Sequence, residues 1–206
     1  DPAIAAALGV AGLTAWNCVH TLGRSGPDDR VLVLGASGGV GSLAVQFAVA
    51  SGARVWGQTT NAAKADGVTA AGAEHVVVTE ADGLASATRE FAPTLVIDGL
   101  GGTFTPAAVD ALEIRGRLVL FGASAGDDIP LSSRGFYRKG LTLYGYTGLI
   151  ETPASQAALL ARLLDQAARG EISVPIELLP LSAAQTAFDR ILARQVTGKL
   201  VLDTTA

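Results

Sequence analysis

Residues 31–41 read Val-Leu-Val-Leu-Gly-Ala-Ser-Gly-Gly-Val-Gly, a short apolar run that ends in a cluster of glycines. Apolar side chains then recur with helical spacing at Leu43, Val45, Phe47 and Ala48. The stretch therefore predicts a buried strand, a glycine turn and an apolar helix in direct succession. This order decides the fold because it opens a series of similar units.

The alternation of apolar strands and helices continues downstream. Further strands are predicted at 54–56, 75–78, 94–97 and 117–121, with helices between them at 62–71, 82–90 and 103–112. Strands buried on both faces that alternate with helices indicate a parallel sheet with right-handed connections. The predicted fold class is therefore α/β, a doubly wound parallel sheet of the Rossmann type.

The flanking segments extend this sheet. An Ala-rich helix, Ala3 to Leu22, precedes it and is expected to be interrupted at its two glycines, Gly9 and Gly12. After a loop at 122–133, the pattern predicts a sixth strand at 141–144 and a helix at 153–168. The chain then continues with a segment at 175–179, a helix at 182–194 and a final strand at 199–202.

Composition excludes several classes of protein. The chain has 206 residues, of which 49% are hydrophobic and 17% charged, so it can bury a substantial core. Its 15 basic residues are scattered and its net charge is −4, which argues against a nucleic-acid partner. One cysteine, Cys18, forms neither an internal disulfide nor a Cys-rich zinc cluster. Apolar runs shorter than a membrane span and the lack of a secretory signal favour a cytoplasmic protein.

The glycine turn matches the dinucleotide-binding pattern G-x-G-x-x-G, with Ala36 in its first place, followed by Gly38 and Gly41. A tight turn at Ala36 would end the strand, Gly38 would let the backbone approach a pyrophosphate, and Gly41 would let the helix pack closely on the sheet. Free N–H groups at Gly39 and Val40 would hold the phosphates. A purely structural glycine turn is the alternative interpretation.

The end of the second strand predicts which dinucleotide binds. Folds that bind NAD place an acidic side chain there, about 20 residues past the motif. Residues 57–64 contain no acid, offer hydroxyl and amide groups around Thr59, and include Lys64, a cation that could reach a 2′-phosphate. NADP(H) is therefore the predicted cofactor. Alternatively, Lys64 is only a solvated residue of the next helix.

Four segments in this order resemble medium-chain dehydrogenases/reductases of the zinc-independent quinone oxidoreductase type. They are Ala11-Gly12-Leu13-Thr14-Ala15-Trp16, residues 31–41, Gly72-Ala73-Glu74-His75-Val76 and Gly198-Lys199-Leu200-Val201-Leu202. The resemblance covers nearly the whole chain. It implies a coenzyme-binding set consisting of Thr14, Ser37, Gly38, Gly39, Val40, Thr59, Thr60, Lys64, Leu100, Phe121, Gly122 and Ala123.

Each part of this set has an expected place. Thr14 and the residues after the fourth and fifth strands, Leu100 and 121–123, would lie near the nicotinamide. Residues 38–40 would bind the pyrophosphate, and the residues after the second strand would surround the adenosine ribose and its phosphate. Relatives commonly carry tyrosine at the position of Thr79, so this chain is expected to differ from them in one contact on the adenine side.

The sequence gives less support to a metal site or to residues for acid–base catalysis. Zinc-dependent relatives carry a cysteine ligand where this chain has Ala11, and Cys18 does not replace it, so no metal site is predicted. Tyr137, Tyr144 and Tyr146 could donate a proton, although packing is the favoured role for each. Asp98 is expected to cap the turn after the fourth strand. The sequence assigns no catalytic residue.

The resemblance also implies a division of the chain. Residues 1–174 would form the coenzyme-binding domain, and residues 175–206 would belong to a catalytic domain that relatives carry before the first helix. The expected function is NADPH-dependent, metal-independent transfer of hydride to a quinone, an enone or an enoyl thioester. The alternatives are a nucleotide-binding module without catalysis, and the enoyl reductase domain of a polyketide or fatty-acid pathway. A homodimer through residues 141–146 is also expected.

Overall fold

The computed structural model describes residues 1–205 and has a six-stranded parallel sheet at its centre. Its strands are β1 Arg30–Val33, β2 Arg54–Thr59, β3 His75–Val78, β4 Leu95–Asp98, β5 Arg117–Leu120 and β6 Thr142–Gly145. They lie in the order β3-β2-β1-β4-β5-β6, with every pair parallel. The order reverses between β1 and β4, which is the switch point where ligands of such sheets bind. The predicted doubly wound α/β fold is confirmed.

Helices cover both faces of this sheet. They are α1 Pro2–Trp16, α2 Gly39–Ala50, α3 Ala65–Ala70, α4 Ala81–Ala87, α5 Phe104–Ala111, α6 Ser133–Lys139, α7 Pro153–Ala168 and α8 Ala184–Leu192. One apolar cluster joins α1, α2 and α7 to the sheet through Leu8, Phe47 and Leu163. A second cluster joins α4 and α5 to the opposite face through Leu84 and Val109.

The central strand β1 shows why the sheet is buried on both sides. Its residues Val31, Leu32 and Val33 are fully buried. Val31 and Val33 belong to the cluster with α1 and α2, whereas Leu32 belongs to the cluster with α4 and α5. Side chains of a strand point alternately to opposite faces, so a run without polar residues fits a strand covered by helices on both sides.

The first helix differs from its prediction. Gly9 and Gly12 do not interrupt it: α1 is continuous and passes into a π-helix, Asn17–Leu22. Within the described residues, Pro2–Leu22 is the one helix long and apolar enough to cross a membrane. This corrects the expectation that every apolar run is too short. Because α1 packs against α2 and α7, it has the contacts of a core helix. The cytoplasmic location stays a prediction.

A short helix, α6, lies where the sequence predicted the approach to the sixth strand. Ser132 caps its start by accepting a hydrogen bond from the Gly135 N–H, and Gly140 ends it in the left-handed region at φ 61°. Its last residue, Lys139, donates to two carbonyls at the end of α5: that of Asp110 in the last turn, at 2.7 Å, and that of Leu112 just past the helix, at 2.8 Å. The Lys139 ammonium group therefore ties α6 to α5.

The last part of the chain forms a separate small sheet. Strands β7 Ile176–Pro180 and β8 Lys199–Asp203 pair in parallel, and α8 connects them. The segment is anchored to the main body near its start, where Gln46 of α2 exchanges two hydrogen bonds with the Ser173 backbone. Five of its large apolar side chains are exposed, namely Leu178, Leu181, Phe188, Ile191 and Leu192.

Arg117 links the start of the fold to its centre. Its guanidinium donates to both carboxylate oxygens of Asp29, at 2.9 and 2.8 Å, and to the carbonyl of Gly23 after the π-helix. Burial alone would raise the Asp29 pKa, but hydrogen bonds from Arg117 and Thr94 outweigh it and hold that pKa below its ordinary value. The ion pair thus fixes the entry to β1 against β5.

We expect Asp29→Asn to lower the free energy of unfolding near neutral pH by about 2 kcal/mol, because a charge-assisted bidentate pair is lost. A lowered folded-state pKa stabilises the protein above the unfolded pKa, and this contribution disappears as pH falls through the folded value. Wild type and variant should therefore converge in acid. Urea denaturation across that pH range measures the difference in free energy of unfolding between the two proteins. Asp28→Asn, at the exposed neighbouring residue, is the control. A stability difference between wild type and Asp29→Asn that does not change with pH would contradict the ion pair with Arg117.

Candidate functional site

The glycine turn follows β1 and begins one residue earlier than predicted. Gly35 has a φ of 62°, in the left-handed region, whereas Ala36 is fully buried in ordinary conformation. The chain therefore reverses at Gly35 rather than at Ala36, because only glycine adopts this conformation without steric cost. Gly38 caps α2, and its N–H donates to the Gly35 carbonyl at 2.9 Å.

Gly41 allows α2 to approach the strand. A Cβ atom at Gly41 would meet the carbonyl oxygen of Gly35 and the Cα of Ala36 more closely than real Cβ atoms approach their neighbours. The helix can therefore start directly above the end of β1. Its first N–H groups, those of Gly39, Val40 and Gly41, have no acceptor within the helix, as at every helix start. Together with the helix dipole they form an anion-binding position.

A cavity of about 1080 Å³ opens in front of this helix start, at the carboxyl edge of the sheet. It brings together nine of the predicted site residues, namely Ser37, Gly38, Gly39, Val40, Thr59, Thr60, Lys64, Leu100 and Phe121. Three others, Thr14, Gly122 and Ala123, are outside the described lining. Gly122 and Ala123 instead pack their backbones against Gly99 and Gly101.

The end of β2 forms one side of the cavity. Thr59 is only 3% exposed, and its hydroxyl group lies 3.2 Å from the Ser37 hydroxyl and accepts the Asn61 N–H. The hydroxyl therefore joins the end of β2 to the glycine turn. Thr60 and Asn61 are exposed, and Asn61 caps the following 3₁₀ turn through the Ala63 N–H. Residues 57–64 carry no acidic side chain at this edge.

Lys64 stands at the same side of the cavity and is not simply solvated. Its Nζ donates to the carbonyls of Arg194 at 2.8 Å and Val196 at 2.7 Å. Burial, and then the charge of Arg194, lower the pKa of Lys64. An ammonium group has three donors, so these two bonds leave one N–H for a ligand.

Residues 191–200 form a roof over the cavity that the sequence did not predict. Arg194, in the left-handed region at φ 56°, donates from its guanidinium to the Ser124 carbonyl at 3.3 Å. The stem of Lys199 lies directly over Gly39 at the helix start. The roof therefore touches both sides of the cavity. The Gly198-Lys199 pair was visible in the sequence, but its position over α2 depends on the fold.

The other end of the cavity is apolar. Leu100, Phe104 and Phe121 line it, and Ser124 contributes a hydroxyl group that donates to the Gly99 carbonyl at 3.1 Å. A Cβ atom at Gly99 would meet the Phe121 ring, so this glycine allows the ring to lie against the loop after β4.

Asp98 fixes that loop from below. It is fully buried, and its carboxylate accepts hydrogen bonds from the N–H groups of Leu100 at 2.8 Å and Gly101 at 3.1 Å and from the Thr105 hydroxyl at 2.6 Å. Burial raises the Asp98 pKa, although these three bonds favour the charged form. The expected turn-capping role of Asp98 is confirmed.

The remaining candidate groups lie outside the cavity lining. The Tyr146 hydroxyl accepts a hydrogen bond from Asn17 at 2.9 Å and packs in the core. Burial raises the pKa of Cys18 to about 12, so its thiol stays protonated. Across residues 1–205, no group of three or more His, Cys, Asp and Glu side chains is placed to hold a metal ion.

Comparison with protein families and sequences shows the family to which the chain belongs. The family model described as zinc-binding dehydrogenase matches residues 39–164. A mycocerosic acid synthase-like polyketide synthase of Mycobacterium tuberculosis is 31% identical over 97% of this chain, which covers 10% of that protein. Quinone oxidoreductase 1 of Escherichia coli is 29% identical over 96% of this chain, which covers 64% of that protein.

A solved structure has the same architecture. A mycobacterial protein in complex with NADPH superposes with a TM-score of 0.85 at 30% identity, covering 93% of this chain and 61% of its own. The chain therefore spans less than two thirds of the length of each of these three proteins.

The contact between Gly41 and Gly35 provides a stability test. We expect Gly41→Ala to lower the free energy of unfolding by about 2 kcal/mol or more, because the new methyl group meets backbone atoms that cannot move aside. Gly9→Ala is the matched control, since open space surrounds that helical position. It should raise stability by up to about 1 kcal/mol through helix propensity. Thermal denaturation measures both, and equal effects would refute the close packing.

Proposed function

Because the chain belongs to the zinc-binding dehydrogenase family, in the zinc-independent quinone oxidoreductase-like group of medium-chain dehydrogenases/reductases, we propose that it binds NADP(H) for hydride transfer to a small-molecule acceptor. The observation that carries this proposal is the cavity at the switch point of the sheet. There the start of α2 and three cationic side chains, Lys64, Arg194 and Lys199, line the same cavity. An elongated ligand with several negative charges suits this arrangement.

The residues present fit such a dinucleotide. Gly38 and Gly39 have no side chains at the helix start, where the stem of Lys199 lies over Gly39, so the N–H groups of Gly39 and Val40 would bind the pyrophosphate beside this lysine. Lys64 and Arg194 would hold the 2′-phosphate beside the acid-free end of β2. Leu100, Phe104 and Phe121 would pack against the nicotinamide end and exclude water. Thr14, Gly122 and Ala123 remain proposed neighbours of that end, although they are outside the described lining.

The nicotinamide ring supplies the hydride when the cofactor is bound, and the protein supplies binding and orientation. The acceptor class we propose is a quinone, an enone or an enoyl thioester, each of which takes up one hydride and one proton. Within residues 1–205, the Ser124 hydroxyl group and the Arg194 guanidinium reach the apolar end of the cavity, and both already donate to backbone carbonyls, those of Gly99 and Ser124. The proton would therefore come from water or from polypeptide beyond this chain.

That observation also favours a second candidate function, a cofactor-binding module that needs a partner polypeptide for turnover. We propose that residues 1–174 are the coenzyme-binding domain and that residues 175–206 belong structurally to the acceptor side. The separate β7–β8 sheet and the exposed apolar side chains around α8 support this division. The edge strand β6 remains the proposed dimer contact, with Leu149 and Ile150 exposed beside it.

Cofactor preference tests the phosphate site. We expect Lys64→Met to weaken NADPH binding by about tenfold or more, because a charge-assisted contact to the 2′-phosphate is lost. NADH lacks that phosphate, so the ratio of the NADH and NADPH dissociation constants should fall toward one. Calorimetric titration measures both constants.

Lys139→Met is the matched control for this substitution. Lys139 also donates to backbone carbonyls, but at α5, outside the cavity lining. It should change stability without changing the cofactor ratio. An unchanged ratio in Lys64→Met would show that this lysine only holds the roof in place.

Turnover separates the two candidate functions. NADPH oxidation is followed by absorbance with 1,4-benzoquinone and with crotonyl-CoA as acceptors. Oxidation by the purified chain above the uncatalysed rate supports the oxidoreductase as it stands. Binding of NADPH without oxidation supports the module that requires a partner. If NADPH does not bind at all, both candidates fail.

A further inference from the structure

The side chain of Gln58 connects three neighbouring strand ends in the wall of the cavity. Gln58 lies near the end of β2 and is fully buried. Its Oε1 accepts the N–H of Gly35, just beyond β1, at 3.0 Å, and its Nε2 donates to the carbonyl of Thr79, just beyond β3, at 2.8 Å. One carboxamide thus satisfies two backbone groups on opposite sides of its own strand.

The main chain of Gln58 holds the same turn. Its carbonyl accepts the N–H of Ala36 at 2.8 Å. Two successive N–H groups of the glycine turn, those of Gly35 and Ala36, are therefore bound by a single residue. Buried N–H groups without acceptors are costly, so the turn cannot leave this position without losing both bonds.

The position of Gly35 determines where α2 begins. Its carbonyl oxygen accepts the N–H of Gly38 and leaves no room for a methyl group at Gly41. On the other side, a Cβ atom at Gly35 would lie 3.1 Å from the side chain of Leu100. A shift of the Gly35 peptide would therefore move the beginning of the helix and the N–H groups that it presents.

We propose that Gln58 is a positioning residue for the phosphate-binding turn, because its carboxamide sets where the N–H groups of Gly39 and Val40 meet the pyrophosphate. Since this role rests on the proposed binding of NADP(H), wild-type affinity has to be measured first. Failure of the wild type to bind NADPH refutes the proposed function. Normal binding by folded Gln58 variants refutes the positioning role alone.

Three variants test the role by calorimetric titration with NADPH. Gln58→Met keeps the length of the side chain but removes both hydrogen bonds, and we expect it to weaken binding by about tenfold or more. Gln46→Met is the matched control, because Gln46 also exchanges two bonds with a backbone residue, Ser173, outside the cavity lining. It should bind NADPH within about twofold of the wild type.

The third variant, Gln58→Glu, adds a readout that loss of packing would not produce. When protonated, the new carboxyl group can accept from Gly35 and donate to Thr79, as the amide does. When ionised, it places an anion against the Thr79 carbonyl and weakens that contact. Burial raises a carboxyl pKa, so the change should fall within an accessible pH range.

We therefore expect the affinity of Gln58→Glu, relative to wild type at the same pH, to be close to one at about pH 6 and to fall about tenfold by about pH 8.5. Thermal denaturation at both pH values identifies the folded variants, and only these enter the comparison. A ratio independent of pH in folded Gln58→Glu would overturn the proposal. So would folded Gln58→Met with the affinity of Gln46→Met. If Gln58→Met does not fold, the pH dependence of Gln58→Glu decides.

Discussion

The carbonyl oxygen of Gly35 lies against Gly41, where even a methyl group would have no room. This contact lets α2 begin immediately above the end of β1, which is the central position of the sheet. The N–H groups at the helix start consequently face the point where the strand order reverses. The cavity, the cationic side chains around it and the proposed cofactor site all depend on that placement.

The local pattern of apolar residues was sufficient to predict the strands and helices that form by burying apolar side chains. The fully apolar strands and the helix at 153–168, with proline at its start and glycine past its end, could be read from the sequence. The parts of the structure that could not be predicted depend on contacts between residues far apart in the sequence. The roof over the cavity requires Lys64 to meet the carbonyls of Arg194 and Val196, about 130 positions away. The turn begins at Gly35 because its N–H finds an acceptor in Gln58, which pattern matching does not consider.

The charge distribution shows how an acidic protein can present an anion site. The chain carries a net charge of −4, yet the cavity collects Lys64, Arg194 and Lys199 around a helix start. Burying Lys64 beside Arg194 has a cost, which appears as the lowered pKa of Lys64: burial is the larger cause and the charge of Arg194 the smaller one. Backbone carbonyls offset part of this cost by accepting hydrogen bonds from the ammonium group. A bound phosphate would offset the remainder, since an anion favours the charged form of lysine.

The roof over the cavity also connects the proposed cofactor site to the C-terminal segment of the chain. Residues 191–200 contact the phosphate side through Lys64 and the apolar side through the Arg194–Ser124 bond. The same segment joins α8 to β8, and α8 carries exposed apolar side chains, Phe188 among them. A dinucleotide in the cavity would therefore touch groups that also determine where these side chains lie. Cofactor binding would then favour the placement of the C-terminal segment in which these contacts form, because a ligand shifts a protein toward the geometry that it binds best.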